Sequence, residues 1–166
     1  MFPLLIIFLV VNVVCHMETD YTYYVLALKK CYPSSPWTLH GLWPELNSHV
    51  WPQYCHPSGV LSYHQLRHLF PRMYANWTDC QSGKQGGNWN FWTHEWSKHG
   101  TCTGLNQTAY FTRALDFYDS VWSNGAVDGM CREMGRDCFL IRDEWKGNWY
   151  SQCMLPMNLN GSVRYR

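Results

Sequence analysis

Charge of either sign is scarce in this chain. Thirteen Lys and Arg stand against 12 Asp and Glu among 166 residues, a net charge of +1 with histidine neutral. That balance argues against a protein that grips nucleic acid through a broad basic surface, whose affinity comes from neutralising many phosphates. Beyond Val14 no apolar run is long enough to cross a bilayer, which takes about 20 residues in a helix. The cysteines form no CxxC pair, so a zinc site of that kind is not expected, and no metal or cofactor is called for. Internal repeats, heptads and low-complexity tracts are also missing, which leaves a single globular domain large enough for a real core.

Histidine, aromatic residues and cysteine are abundant instead. Eight histidines gain charge below about pH 6, so affinity for an anionic polymer should rise on acidification. Aromatics make up 17%, with ten tryptophans, more flat surface than a core needs. Base stacking, glycan contact and packing are its available uses. Met1 to Val14 is uncharged and almost wholly apolar, and reads as a secretory signal. It lacks the usual basic residue near its start. Cleavage after Cys15 would leave 16–166 as the mature domain, with no membrane contact after signal removal. Of eight cysteines, seven then remain, a density suited to an oxidising compartment. Three sequons, at Asn76, Asn106 and Asn160, fit a secreted glycoprotein.

The chain is organised around Phe91-Trp92-Thr93-His94-Glu95-Trp96-Ser97-Lys98-His99-Gly100-Thr101-Cys102. On a helical wheel with His94 as origin, Lys98 stands at about 40°, Glu95 at about 100° and His99 at about 140°. Trp96 and Ser97 fall at about 200° and about 300°. The ionisable groups thus share one sector, and Trp96 can pack behind them. A solvated helix face would also be polar, but would seldom combine two His, Glu and Lys with so many tryptophans. The second stretch is Trp37-Thr38-Leu39-His40-Gly41-Leu42-Trp43-Pro44-Glu45. A lone His among apolar residues is more often a core histidine than a catalyst. Beside the later run, it supplies the missing proton-transfer partner.

Together the two stretches resemble the paired signatures of the T-two ribonuclease family, the transferase-type acid ribonucleases. The likeness runs from about Tyr21 to about Val121; residues 122–166 diverge. The resemblance implies a single-stranded RNA substrate, cleaved without a metal through a 2′,3′-cyclic phosphate to 3′-phosphate ends. It also implies low base specificity and an acidic optimum. DNA, which lacks the 2′-hydroxyl, should resist. By this resemblance His99 is the general base, His40 the general acid, and His94 a phosphate contact. Lys98 and Glu95 would stabilise the transition state. Trp43 would lie under the base, with Glu45 bonded to its edge. Trp51 would offer a second stacking ring, and Phe91 would line the second base pocket. Relatives tend to carry Gln-Trp-Pro in the first strand, where this chain has Ala27-Leu28-Lys29-Lys30. The resemblance further implies bridges Cys31–Cys80 and Cys55–Cys102. Cys131, Cys138 and Cys153 are then left, and Cys138 with Cys153 is the favoured pair. The odd cysteine would stay free in a monomer or bond a second chain. Secretion is the expected fate, with lysosome or vacuole as alternatives.

Local patterns predict an α+β fold, a central antiparallel sheet flanked by helices. Tyr21–Leu28 reads as a central strand, and Trp37–Leu42 as the next, ended by Pro44. Ser62 can cap a helix over Tyr63–Asn76 that Pro71 breaks or kinks. Gln81–Asn88, with three glycines, reads as a loop. Asn106 or Thr108 can start a helix whose apolar face runs from Tyr110 to Trp122. A late strand is expected over Asn148–Met154, followed by a turn at Asn158-Leu159-Asn160-Gly161.

Two rival readings remain. His94-Glu95 suggests the His-Glu-x-x-His zinc protease motif, but the second ligand position holds Lys98. His99 is turned about 140° from His94, so both imidazoles cannot face one metal. The other rival is a secreted binding or signalling protein on a catalytically dead ribonuclease scaffold; all five presumed catalytic residues being present weighs against it.

Overall fold

The computed structural model describes residues 21–32, 35–46, 51–56, 59–80, 87–123, 127, 129–130, 138–142 and 149–164. The expected signal segment lies outside them, as do Cys131 and residues 81–86 of the expected loop. Four strands form one antiparallel sheet: β1 (Tyr23–Lys30), β2 (Thr38–Glu45), β3 (Cys138–Arg142) and β4 (Trp149–Met157), in the order β2-β1-β4-β3. With the helices α1 (Tyr63–Leu66), α2 (Phe70–Asn76), α3 (Gly87–Lys98) and α4 (Gln107–Ser123), this is the expected α+β architecture.

β1 is central, as expected, and slides two residues beyond its sequence-based bounds. Every residue from Tyr23 to Lys29 is buried, so the strand reads as a continuous apolar run rather than an alternating one. β2 flanks it at the sheet edge. Pro44 does not end β2, which runs on to Glu45. An edge strand tolerates a proline because one side of its ladder needs no N–H. The β1–β2 register slips once. Ala27 pairs with Gly41 and Leu28 with Leu39, leaving His40 as the extra residue of a β-bulge.

α4 packs across β1 and β2, burying Tyr110, Phe111, Ala114, Leu115, Tyr118 and Val121. Two of its hydroxyls tie it to the β2 segment: Tyr118 donates to the Trp37 carbonyl (2.8 Å) and Tyr110 to that of Leu42 (3.1 Å). Asn106 caps the helix, its Oδ1 accepting the Ala109 N–H at 2.9 Å. The helix foreseen over 63–76 is divided: α1 ends at Leu66, and α2 starts anew with Pro71 in its first turn, where the missing N–H costs nothing. Ser62 precedes α1 but makes no side-chain cap; its N–H donates to Gln107 Oε1 (2.8 Å). Asn88, expected in a loop, is helical.

Cys31–Cys80 and Cys55–Cys102 are both bridged. Each closes a loop of nearly fifty residues, which in a chain-entropy account stabilises by about 4 kcal/mol. Cys153 is also disulfide-bonded, and its register partner across β3–β4 is Cys138, whose side chain lies outside the described residues. The late strand extends past Met154 to Met157, and the following turn forms as expected, with the Gly161 N–H donating to the Asn158 carbonyl. Gly161 holds φ +88° against the Phe117 ring, a backbone conformation and a space that suit glycine. Among the sequons, Asn106 and Asn160 are exposed and Asn76 is half-buried at the end of α2. No helix among the described residues is long and apolar enough to cross a membrane.

Candidate active site

α3 carries one half of the site, and helical periodicity divides its polar residues. Trp92 and Trp96 face the core, while Glu95 and His99, 1% and 3% exposed, turn toward β2. His94 is exposed and Lys98 half-buried, so these two form a rim. The expectation of one shared sector is thus refined into an inner pair and an outer pair. Asn88 fixes the start of the helix by accepting the Asp79 N–H (2.7 Å).

β2 brings the other half. The bulge turns His40 toward α3, where its Nε2 stands 3.5 Å from Glu95 Oε1. That separation is beyond good hydrogen-bond range, so the contact is chiefly Coulombic. Trp43 lies between the histidines. Its ring stacks on His99 (centroids 4.9 Å, 22°), meets His40 edge-on (5.4 Å, 76°), and its Nε1 donates to Glu95 Oε2 (2.9 Å). Gly41 makes the fit feasible: a Cβ there would collide with Glu95 Oε2 and Trp43 Nε1. Behind the site a second tie joins helix to strand. Trp92 Nε1 donates to the Trp77 carbonyl, and Trp77 Nε1 to the His40 carbonyl, each at 2.7 Å.

Electrostatics follow from this burial. For Glu95, burial works against ionisation but is outweighed by His40, His99 and the Trp43 N–H, which hold its carboxyl at about 2. Burial pushes His99 down to about 4, against the pull of Glu95. His40 is lowered for the same first reason, with Lys29 and His94 adding repulsion and Glu95 opposing it. Between the two partners of the buried pair, we stand by an ionised Glu95 and a His40 that gives up its proton more readily than a free imidazole. Among the described residues, no three His, Cys, Asp or Glu side chains cluster as a metal site.

The base-binding residues are placed unevenly. Trp43 has one face taken by His99 and its N–H by Glu95, so it braces the acid–base groups. Glu45 is buried and its Oε2 accepts the Tyr23 hydroxyl at 2.5 Å. Trp51 is 48% exposed and free to stack. Phe91 packs 5.5 Å from His40, with Lys29 Nζ 3.6 Å above its ring. Four contributors escaped sequence reasoning: Gly41, Trp77, Trp92 and Lys29. A glycine directly after the key histidine could have signalled close backbone approach, and a lysine inside an apolar strand could have signalled a buried charge beside the site.

Two imidazoles, a buried carboxylate and a rim lysine thus come together on a disulfide-bonded α+β frame. The chain belongs to the Ribonuclease T2 family, whose sequence profile matches residues 4–128. It is 41% identical over 92 residues to the intracellular ribonuclease LX of Solanum lycopersicum, covering 52% of this chain and 38% of that protein. It is 34% identical over 105 residues to Ribonuclease T2 of Sus scrofa, covering 60% and 50%. The chain therefore spans half or less of the length of these relatives. Among solved structures, RNase NT in complex with 5′-AMP superposes with a TM-score of 0.64 at 21% identity, over 87% of this chain and 89% of that one. An RNase-related protein from Calystegia sepium superposes with a TM-score of 0.59 at 18% identity, over 87% and 90%.

Proposed function

We propose that the protein is an exported endoribonuclease that cleaves single-stranded RNA by transesterification, without metal or cofactor and with low base specificity. The observation that carries this reading is the convergence of His40 and His99 on the Trp43 ring, with Glu95 in contact with the first and bonded to the brace. RNA brings its own nucleophile. Neutral His99 removes the 2′-hydroxyl proton, the 2′ oxygen bonds to phosphorus, and the P–O5′ bond breaks as protonated His40 delivers a proton to the leaving 5′ oxygen. The product is a 2′,3′-cyclic phosphate, which water opens to a 3′-phosphate with the roles reversed. His94 and Lys98 on the rim hold the phosphate, and charge building on phosphorus meets these preorganised cations. Glu95 repels phosphate but stabilises the imidazolium of its neighbour, which suits a buried position behind His40.

Both depressed histidines favour an acidic optimum. The base stays neutral down to about 4, and the acid is charged only below the ordinary range of an imidazole. Export is the reading of the apolar start, the bridges and the sequons, with glycans on Asn106 and Asn160 sterically easiest because both are exposed. The test is to incubate the purified protein with single-stranded RNA and DNA at about pH 5 and about pH 7.5 with a chelator, then identify the terminal phosphate. Cyclic and 3′-phosphate ends from RNA alone, strongest in acid, are expected. Chelator-sensitive cleavage, 5′-phosphate ends or efficient DNA cutting would overturn the reading.

A further inference from the structure

On the other flank of α3, away from His99, lies a second concavity of about 320 Å³ lined by Tyr54, His56, Gly59, Trp89, Thr93 and Ser97 among others. That volume is at the lower end of small-ligand sites, which run from roughly 300 to 1,000 Å³. Its polar groups are incompletely used. Thr93 Oγ1 and the indole nitrogen of Trp96, a residue 6% exposed, are both buried without a hydrogen-bond partner. The Trp96 nitrogen stands behind the Gly59 wall, 3.2 Å from where a Cβ would sit there. Buried donors are nearly always satisfied in folded proteins, so orphans of this kind point to a missing partner. Tyr54 holds its exposed ring on a left-handed backbone (φ 53°), fixed by its N–H bond to the Lys98 carbonyl (2.9 Å) and by the adjacent Cys55–Cys102 bridge. Backbone strain in a non-glycine residue collects at ligand clamps.

The place of this concavity on the helix says what would enter it. Trp89, Thr93 and Ser97 recur every fourth residue and line one ridge of α3. His94 and Lys98 each follow a member of that ridge, about 100° further round. A strand whose phosphate rests on His94 and Lys98 therefore meets this concavity next. The walls offer aromatic rings and hydroxyls. His56 is the only cation-forming side chain among the described lining residues, so the site suits a flat, hydrogen-bonding, uncharged group rather than a phosphate.

We propose that this concavity is a distal subsite for a nucleobase of the RNA strand, lying beyond the nucleotides that flank the cleaved bond. It rests on the ribonuclease reading and adds a binding site outside the acid–base centre. The base stacks against Trp89 and Tyr54, and its edge engages Thr93 Oγ1. The subsite makes a longer strand a better substrate than a dinucleotide.

The test compares kcat/KM for a dinucleoside monophosphate with that for a single-stranded RNA of about eight nucleotides, in the full chain and in W89A, Y54A and T93V. The wild type is expected to prefer the longer RNA. W89A and Y54A should each lose about tenfold on the longer RNA, the scale of one lost base stack, while dinucleotide cleavage is unchanged. T93V keeps side-chain shape, guards against misfolding of the tryptophan variant, and should show a smaller loss in the same direction. Equal activity of all variants on the longer RNA, or parallel loss on both substrates, overturns the subsite while leaving the nuclease intact. A wild type that cleaves neither RNA overturns the nuclease reading and the subsite with it.

Discussion

The two halves of the site reach the same point by different physical devices. α3 and the residue that follows it present Glu95 and His99 through helical repeat alone: residues four apart share a face, and Trp92 and Trp96 beside them anchor the helix in the core. β2 presents His40 through a break in its repeat. Without the bulge, the residue after Leu39 would keep step with β1; with it, His40 is displaced from the ladder and its carbonyl is bonded by Trp77. The helix half is thus set by local periodicity, the strand half by contacts from distant sequence. A site assembled this way should be fragile at the strand and robust at the helix.

The largest test removes each imidazole in turn. H40A and H99A should each lower kcat for RNA by about 10³-fold, near 4 kcal/mol of transition-state stabilisation, while leaving the fold intact. Single-turnover cleavage at the pH of maximal activity reads this directly. Equal losses are expected because acid and base act in one step. Full activity in either variant would refute the pair and separate the two halves as functional units.

A somewhat smaller effect concerns pH. His99 has a folded-state value of about 4 against 6.5 in an unfolded chain, so the folded protein binds fewer protons between those limits. Stability contributed by neutral His99 is complete above about 6.5 and is lost as pH falls toward 4, roughly 3 kcal/mol in all. Thermal unfolding followed across that window should show the wild-type Tm falling with acidification and a shallower fall in H99F. Parallel slopes would mean that His99 titrates as if in water and that the inner pair is not buried as described.

G41A breaks the strand half without removing an ionisable group. The added methyl collides with the Glu95 carboxylate and the Trp43 indole, and overpacking of this kind costs about 2 kcal/mol. Denaturant unfolding should show that loss, and kcat should fall with it, whereas G87A at the solvent-accessible start of α3 should do neither. This glycine marks where sequence reading stopped. The helix, the shared side of its ionisable residues and the central strand were legible because each depends on neighbours in sequence, and the two bridges followed from the resemblance of the motifs to a known family. The bulge and the passage of β2 through Pro44 were not, because register and packing belong to pairs of elements, whereas the break within 63–76 was signalled by Pro71. The partners of Trp43 and Glu45 were illegible for the same reason: Glu95, His99 and Tyr23 lie on other elements.

The smallest effect comes from the tie behind the site. W77F keeps the ring volume near the core but removes the N–H that holds the displaced His40 carbonyl, leaving a buried acceptor unmet. The cost is about 1 kcal/mol of stability and, if the tie sets the aim of the imidazole, a further loss in kcat without a change in KM. The control is W92F, which removes the next link, the bond to the Trp77 carbonyl, and leaves the His40 carbonyl bonded. A kcat loss in W77F of several-fold, about 1 kcal/mol, with little in W92F, would show that the bulge is aimed by its own carbonyl partner. Equal losses would instead make the two tryptophans one rigid strut, and the strand half would then depend on the helix half after all.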